Sequence, residues 1–212
     1  MTEKPKYRKP GSTGRCEVRI IGGAWRGRKL HFPPGVTDLR PTPDRVRETL
    51  FNWLRESVSG SRCLDLYAGS GALGLEALSR GAREVVFVER DVRVASYLVD
   101  ALETLGCRHG IVHRVDALAF LRARGEPFDV VFLDPPFGSQ VLAELLTLID
   151  ARGWLRPGGF AYLEQPAAGS APLLPPGWSL HRSKRAGEVG YHLAQSPSAG
   201  GVPAAPASTG IS

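Results

Sequence analysis

Cysteine is scarce in this sequence, which has three in 212 residues, at Cys16, Cys63 and Cys107. No two of them have C-x-x-C spacing, and Cys63 lies in an apolar run typical of a buried strand. We therefore expect neither a zinc site nor a disulfide framework. The five histidines have no His, Asp or Cys at metal-ligand spacing, so no metal is expected.

Long hydrophobic runs are also missing. No apolar run approaches the roughly 20 residues that a membrane span needs, and no hydrophobic signal segment follows the basic N terminus. These absences predict a cytoplasmic protein with no membrane association.

Acidic residues are outnumbered by basic ones, since 27 Lys and Arg against 21 Asp and Glu give a net charge of +6 and a pI near 9.5. Such a charge favours a polyanionic partner such as nucleic acid, although charge alone also serves solubility. The length and an apolar content of 42% are sufficient for the core of one domain, and we expect a monomer.

Composition divides the chain into four segments. Residues 1–15 form a basic tail and residues 196–212 a low-complexity tail, both predicted to be disordered. Residues 16–40 alternate apolar and basic residues around two glycines, which predicts a hairpin. Its residues Trp25, Arg26, Arg28 and Lys29 place an aromatic ring among cations and suit an RNA surface, while a solvated face explains them equally well.

Residues 41–195 alternate helical and strand patterns. The stretch "RPTPDRVRETLFNWLRESV" predicts an amphipathic helix with Thr42 as N-cap, Pro43 at the first helical position and a buried stripe. That stripe is Val46, Leu50, Leu54 and Val58. Strands follow in "RCLDLY", "EVVFVE", "IVHRV", "FDVVFLD" and "FAYLEQ", with a helix after each of the first four. Their near-continuous apolar character predicts an α/β fold with a parallel sheet covered on both faces, closed by an antiparallel hairpin from "WSLHRSK" and "EVGYHLAQ".

A glycine loop follows the first of these strands. The stretch "DLYAGSGALGLEAL" has a G-x-G-x-x-G pattern at Gly69, Gly71 and Gly74. Such a loop can hold a dinucleotide pyrophosphate, but Asp65 at the end of the strand would repel a phosphate and attract an ammonium group. Glu89 and Asp116 end the next two strands, where they suit ribose hydroxyls and an adenine amino group. An adenosine joined to an amino acid, as in S-adenosylmethionine, fits this set.

The fourth strand ends in "DPPF", Asp134 to Phe137. Two prolines remove two amide donors, so a carboxylate and backbone carbonyls form a cluster of acceptors only. This cluster matches an exocyclic amino group of a base, which Phe137 could stack upon, and it would stabilise positive charge that develops on the nitrogen.

Together these stretches resemble the RsmD family of bacterial 16S ribosomal RNA guanine-N2 methyltransferases. The resemblance rests on "RIIGGAWRGRKL", "LRPTPDRVRETLFNWL", "DLYAGSGALGLEALSRGA", "VVFVER", "DAL" and "VVFLDPPF", and covers roughly residues 18–194. It implies a class I, Rossmann-like methyltransferase domain over residues 41–195 with a seven-stranded sheet. It also implies S-adenosylmethionine as methyl donor and one guanine of 16S rRNA, in the small ribosomal subunit or its assembly intermediate, as substrate.

The resemblance also implies roles for individual residues. Asp134, Pro135, Pro136 and Phe137 would be catalytic. The cofactor would lie against Asp65, Tyr67, Gly69, Gly71, Glu89, Arg90, Asp116 and Ala117, with Arg40 and Thr42 as further contacts. RNA would contact the N-terminal hairpin and, in the closing hairpin "KRAGEVGY", Lys184 and Arg185.

Three other functions stay open from the residues alone. D-P-P-aromatic clusters also serve methylation of adenine N6 and of glutamine amides. A basic ribosome-assembly module could keep the fold without turnover. A nicotinamide dehydrogenase is the third alternative, because the glycine pattern is shared with dinucleotide-binding folds.

Overall fold

A seven-stranded sheet forms the centre of the protein. The computed structural model describes residues 17–31, 42–136 and 141–199. The described strands are β1 Glu17–Arg19, β2 Lys29–His31, β3 Arg62–Asp65, β4 Glu84–Val88, β5 Gly110–His113, β6 Phe128–Leu133, β7 Leu155–Pro166, β8 Ser179–Ala186 and β9 Val189–Gln195. The described helices are α1 Asp44–Trp53, α2 Ala72–Ser79, α3 Val92–Thr104, α4 Ala117–Arg122 and α5 Leu142–Ala151.

The strand order of the sheet is β5-β4-β3-β6-β7-β9-β8. The five neighbouring strands β5, β4, β3, β6 and β7 are parallel. Strand β9 pairs antiparallel with both β7 and β8. The α/β class, the mostly parallel sheet and the antiparallel edge hairpin that the sequence predicts are therefore confirmed. The chain moves outward from β3 to β5 and then returns to β6 on the other side, so the strand order reverses between β3 and β6.

Helices cover both faces of the sheet, as the apolar strands predict. Helices α1, α2 and α3 contribute to one buried cluster, in which the rings of Phe51 and Phe132 lie 6.0 Å apart. Helices α4 and α5 contribute to the cluster on the other face, through Leu121, Leu145 and their neighbours. Below, the face covered by α1 to α3 is called the α1 face.

The four residues of the predicted stripe, Val46, Leu50, Leu54 and Val58, are all buried, but α1 ends at Trp53, so Leu54 is its C-cap residue and Val58 lies in the turn that follows. The prediction that Thr42 caps this helix is wrong. Pro43 is the N-cap residue, and no side chain caps the helix. The Thr42 hydroxyl instead donates to Asp134, 3.4 Å away, because the end of β6 offers a carboxylate that local sequence rules cannot foresee.

The N-terminal hairpin is present, with β1 and β2 paired antiparallel from Glu17 opposite His31 to Arg19 opposite Lys29. A turn of 3-10 helix at Gly23–Trp25 lies within its connection. The connection is thus longer than a tight turn at the two glycines. It packs against α2, so the hairpin is part of the folded body.

Several predicted features lie outside the described residues. These are Arg40, Phe137, the tail at residues 1–15 and all but four residues of the C-terminal tail. Ser196 is buried and donates its N–H to the Gly159 carbonyl at 3.0 Å, while the Gly158 N–H donates to the Pro197 carbonyl at 2.9 Å. Native contacts therefore continue to Pro197, two residues past the predicted end of the domain. The four-segment division itself stays a prediction.

Candidate active site

Four carboxyl groups lie at the carboxyl ends of four adjacent parallel strands. Asp65 ends β3, Glu89 follows β4, Asp134 follows β6 and Glu164 lies near the end of β7. Asp65 is level with Phe87 on one side and Phe132 on the other. Side chains alternate along a strand, so Glu89 and Asp134, each two residues further on, point to the same face as Asp65. This row borders the reversal point of the sheet, where α/β folds bind their ligands.

The glycine loop has the backbone that its sequence requires. Gly69 and Gly71 have φ angles of 47° and 72°, in the left-handed region that glycine adopts at little cost. A Cβ on Gly71 would lie 2.5 Å from Cδ2 of Leu98. The third glycine, Gly74, has a different role: its Cβ would lie 2.2 Å from the ring of Phe87, so it permits α2 to approach β4 closely.

Asp65 lies beneath this loop. Its side chain is 2% exposed, and its Oδ2 accepts the Gly74 N–H at 2.9 Å. Burial raises the pKa of Asp65 to about 7; the Gly74 hydrogen bond opposes this rise, and the charges of Asp134 and Glu89 add to it. Near neutral pH this carboxyl is therefore poised between its two protonation states, and a nearby ammonium group would favour the ionised one.

Glu89 joins the two loops that follow β3 and β4. Its Oε2 accepts the Gly69 N–H at 3.0 Å and its Oε1 accepts the Asp91 N–H at 2.7 Å. Each carboxylate oxygen has a second lone pair, so this side chain can accept further donors while it holds both loops. The prediction that Glu89 meets ribose hydroxyls is compatible with this geometry and stays a prediction.

Asp116 caps α4. The N–H groups of Leu118 and Ala119 both donate to Oδ1, at 3.0 and 3.1 Å, and the side chain is exposed. Burial raises the pKa of the half-buried Tyr67, the charge of Asp116 adds to this rise and that of Arg90 opposes it, so the charges of both side chains act on Tyr67. The structure thus brings together the predicted contacts after β3, β4 and β5, and the buried Ala117 stands beside them.

Asp134 leads the D-P-P stretch. Its Oδ2 accepts the Thr42 hydroxyl at 3.4 Å, Pro135 is buried and Pro136 is exposed. Burial raises the pKa of Asp134 to about 6, and the hydrogen bond from Thr42 opposes this rise. Thr42 is thereby held beside Asp134 and not at a capping position; its predicted contact with the cofactor stays a prediction.

Glu164 is a site residue that the sequence reading missed. It is 4% exposed, and the hydroxyl of the fully buried Tyr162 donates to its Oε1 at 2.6 Å. Burial raises the pKa of Glu164 to about 8; the charge of Asp134 adds to this rise, and the hydroxyls of Tyr162 and Thr42 oppose it. The signal was available, because "FAYLEQ" carries a single charged residue at the same strand end as the other carboxyl groups.

A buried arginine holds Thr42 in place. Arg47 of α1 is 1% exposed, and its Nε donates to the Thr42 carbonyl at 3.1 Å. Its guanidinium also pairs with the buried Glu76 at 3.5 Å and donates to the Arg19 carbonyl at 2.7 Å. Glu76 in turn accepts the Ile21 N–H at 2.9 Å. One buried ion pair thus connects α1, α2, the N-terminal hairpin and the segment that carries Thr42.

The predicted RNA contacts of the N-terminal hairpin have different surroundings. Trp25 is half-buried against the core, Arg28 donates to the Thr104 carbonyl at 3.1 Å, and Lys29 pairs with Glu17 at 2.9 Å. Arg26 is exposed. Packing accounts for part of this pattern, and the RNA role of these residues stays a prediction.

The two basic residues predicted in the closing hairpin point to opposite faces of the sheet. Lys184 is level with Tyr191, which is level with Glu164, so all three lie on the α1 face. Arg185 is next to Lys184 in the strand and therefore faces the other way, where its charge lowers the pKa of His192 in addition to the effect of burial. Lys184 therefore lies on the same face as the carboxyl row, separated from Glu164 by strand β9, whereas Arg185 does not.

Neither a metal cluster nor a membrane span is found among residues 17–31, 42–136 and 141–199. No three His, Cys, Asp or Glu side chains there are placed to hold a metal ion. None of the helices in these ranges is long and apolar enough to cross a membrane.

Comparison with known proteins gives one consistent family. The family model described as conserved hypothetical protein 95 matches residues 18–195. Ribosomal RNA small subunit methyltransferase D of Escherichia coli strain K12 is 47% identical over 190 residues, which cover 89% of this chain and 94% of the relative.

Solved structures agree with that match. The putative methyltransferase yhhF from Escherichia coli has a TM-score of 0.80 and 46% identity, and the match covers 87% of this chain and all of that one. The T. thermophilus 16S rRNA N2 G1207 methyltransferase RsmC, solved with AdoMet and guanosine, has a TM-score of 0.64 and 25% identity over 86% of this chain and 50% of that one. The chain therefore belongs to the family that the sequence resemblance indicated, the RsmD family, whose model carries the description conserved hypothetical protein 95.

Proposed function

We propose that this protein transfers a methyl group from S-adenosylmethionine to the exocyclic N2 of one guanine in 16S rRNA, within the small ribosomal subunit or an assembly intermediate. The observation that carries the proposal is Asp134 in the D-P-P stretch, one strand from the glycine loop at the reversal point of the sheet. A carboxylate there accepts hydrogens from an amino group, whereas a dehydrogenase or a pure binding module has no need of it.

The residues after β3, β4 and β5 fit the proposed methyl donor. Gly69 and Gly71 leave the loop without side chains where the amino-acid part would pass, and Asp65 beneath them favours an ammonium over a phosphate. Glu89 would accept from the ribose and Asp116 from the adenine. When bound, S-adenosylmethionine supplies a methyl group on a positively charged sulfur, and the row of carboxyl groups suits a cation.

The acceptor residues would orient the target base. Asp134 and the Pro135 carbonyl would each accept one hydrogen of the amino group, which turns the nitrogen lone pair out of the ring plane and stabilises the positive charge that develops there. A paired base would first leave its stack, at a cost of a few kcal/mol. No covalent enzyme intermediate is needed.

The preference for guanine N2 over adenine N6 rests on the relatives. The Escherichia coli relative is named a ribosomal RNA small subunit methyltransferase, and RsmC is named a 16S rRNA N2 methyltransferase and was solved with guanosine. Amino-group chemistry is common to both bases, so the site alone does not choose between them.

The direct test is to incubate the protein with labelled S-adenosylmethionine and small subunits that lack the modification. Label is expected in N2-methylguanosine at one position of 16S rRNA. Label in adenosine or in protein would contradict the proposal. Binding of NAD without binding of S-adenosylmethionine in calorimetry would favour a dehydrogenase, and binding of rRNA alone would favour an assembly module.

Two variants separate the proposed roles. Asp134→Ala should lose most turnover, by about a hundredfold or more, and keep cofactor affinity nearly intact, because the residue acts on the amino group. Glu89→Ala should weaken cofactor binding in calorimetry, because it removes the proposed ribose acceptor and the link between two loops. The reverse pattern would mean that the two roles are assigned wrongly.

A further inference from the structure

Asp134 and Glu164 form a pair of carboxyl groups on neighbouring strands. Leu133 of β6 and Leu163 of β7 are level with each other in the parallel ladder, so the next residues, Asp134 and Glu164, are level too and share the α1 face. Neither takes part in a salt bridge within the described ranges of the chain. Thr42, which donates to Asp134, lies near both carboxyl groups.

The two members of this pair differ in depth. Glu164 is 4% exposed and is held from below by the Tyr162 hydroxyl at 2.6 Å, whereas Asp134 is partly exposed at the rim. Two adjacent buried carboxylates without a cation are strongly unfavourable, so one of them keeps a proton. The deeper one, Glu164, loses more solvation on ionising, and its pKa of about 8 lies above the pKa of about 6 of Asp134.

Other groups that face the pair do not change this order. Asp65 on β3 interacts with the charge of Asp134 and adds negative charge, and Glu89 interacts in turn with Asp65. Lys184 on β8 lies on the same face, but β9 separates it from Glu164. Tyr191 on β9 and Tyr162 on β7 are buried phenols, and the pKa of Tyr162 is raised well above its usual value by burial and by the charge of Glu164, so it stays neutral. From the segment before α1, Thr42 contributes an uncharged hydroxyl.

We propose that Glu164 is a positioning residue for methyl transfer: it is the protonated member of a carboxyl pair and keeps Asp134 ionised and correctly oriented as the acceptor for the amino group. The inference rests on the proposed amino-group methylation. In that reaction the amino nitrogen gains a bond to the methyl carbon while the bond from carbon to sulfur breaks, with its electron pair left on sulfur. The nitrogen then gives one proton to the Asp134 carboxylate, and Asp134 releases that proton to water when the product leaves.

The pair predicts a specific loss of rate at high pH. When Glu164 ionises, two anions stand side by side, Asp134 is repelled from the Thr42 hydroxyl, and the amino group loses its oriented acceptor. With a pKa of about 8 for Glu164, the single-turnover rate should fall about tenfold between pH 7 and pH 9 for this reason alone. Ionisation of the substrate or of Asp65 adds its own pH dependence, which is common to wild type and variants.

The test compares Glu164→Gln and Glu164→Ala with wild type in single-turnover methylation of small subunits. Glu164→Ala should lower the rate at pH 7 by about tenfold to a hundredfold, and Glu164→Gln, which stays neutral, should recover much of that loss. The ratio of Glu164→Gln to wild-type rate should rise about tenfold from pH 7 to pH 9. Glu126→Gln, at a side chain 86% exposed, is the matched control and should keep the wild-type profile.

A second readout needs no substrate. Carbon-13 carboxyl NMR of the free protein should show one side-chain glutamate that titrates near pH 8 and disappears in Glu164→Gln, and the titration of Asp134 should shift when Glu164 is replaced. The inference is overturned if the ratio of rates stays constant from pH 7 to pH 9, or if Glu164 titrates near its usual value. If wild type itself labels no guanine, the proposed function fails, and the NMR titration still decides whether the pair shares a proton.

Discussion

Replacement of Glu164 by glutamine should stabilise the fold, by an amount that grows with pH. Wild-type Glu164 is buried, and in the unfolded chain it ionises near pH 4.5, whereas in the folded protein its pKa is about 8. Folding at neutral pH must therefore protonate this side chain. Glutamine has nearly the same shape, can accept the Tyr162 hydroxyl through its carbonyl oxygen, and needs no proton.

The size of the effect follows from proton linkage. A group whose pKa is raised on folding contributes full stability below its unfolded pKa and loses that contribution as the pH rises to its folded pKa. For Glu164 the loss extends from pH 4.5 to about pH 8. At about 1.4 kcal/mol per pH unit, the free energy of unfolding of wild type should fall relative to that of Glu164→Gln by about 3 kcal/mol at pH 7 and about 4 kcal/mol at pH 8, where Glu164 is half ionised in the folded protein.

The assay is urea unfolding followed by tryptophan fluorescence at several values between pH 5 and pH 8, since the chain has four tryptophans. The informative quantity is the slope of the stability difference against pH, because any constant cost of the substitution cancels. For Glu126→Gln, the difference in free energy of unfolding from wild type should not change with pH. A Glu164→Gln difference that stays within about 0.5 kcal/mol over this range would refute the reasoning.

Three other predictions concern cofactor, RNA and packing. Cofactor affinity measured by calorimetry should be about tenfold weaker at pH 6 than at pH 8, because the pKa of Asp65 is about 7 and the ionised form attracts the ammonium group; Asp65→Asn should remove this dependence. Lys184→Ala should reduce the salt slope of rRNA binding by about one and Arg185→Ala by less, since only Lys184 faces the carboxyl row; equal effects would contradict that geometry. Gly74→Ala should destabilise the protein by about 1–3 kcal/mol in urea unfolding, because the added methyl group meets the ring of Phe87, and Phe87→Leu in the same chain should relieve part of the loss.

The sequence predicted those features that depend on local patterns. The stripe of α1 and the strand ends at Asp65, Glu89 and Asp134 follow from periodicity and from the position of charges after apolar runs. Parallel strands bring their carboxyl ends to one edge of the sheet, so this part of the site could be predicted from the sequence alone.

The features that the sequence did not predict depend on contacts between distant segments. Thr42 has the residue type of a helix cap, but its hydroxyl bonds to Asp134, 92 positions away. Glu164 lies beside Asp134 because β7 pairs with β6 in one particular register, and the sequence does not show that register. Lys184 and Arg185 are neighbours in the sequence and look equivalent there, yet strand pairing directs them to opposite faces.

The buried pair of Arg47 and Glu76 makes the N-terminal hairpin difficult to remove. A truncated chain that began after the hairpin would lose the Arg19 carbonyl and the Ile21 N–H, both of which satisfy this pair. The ion pair itself would remain, with Asp44 beside Arg47 and Arg80 beside Glu76, but each lost hydrogen bond to a buried charged group typically costs about 1.5–3 kcal/mol, and the same guanidinium also holds the Thr42 carbonyl. The hairpin is thus a poor choice for a detachable RNA-binding module in protein engineering: a swap between relatives would have to carry α1 and α2 with it.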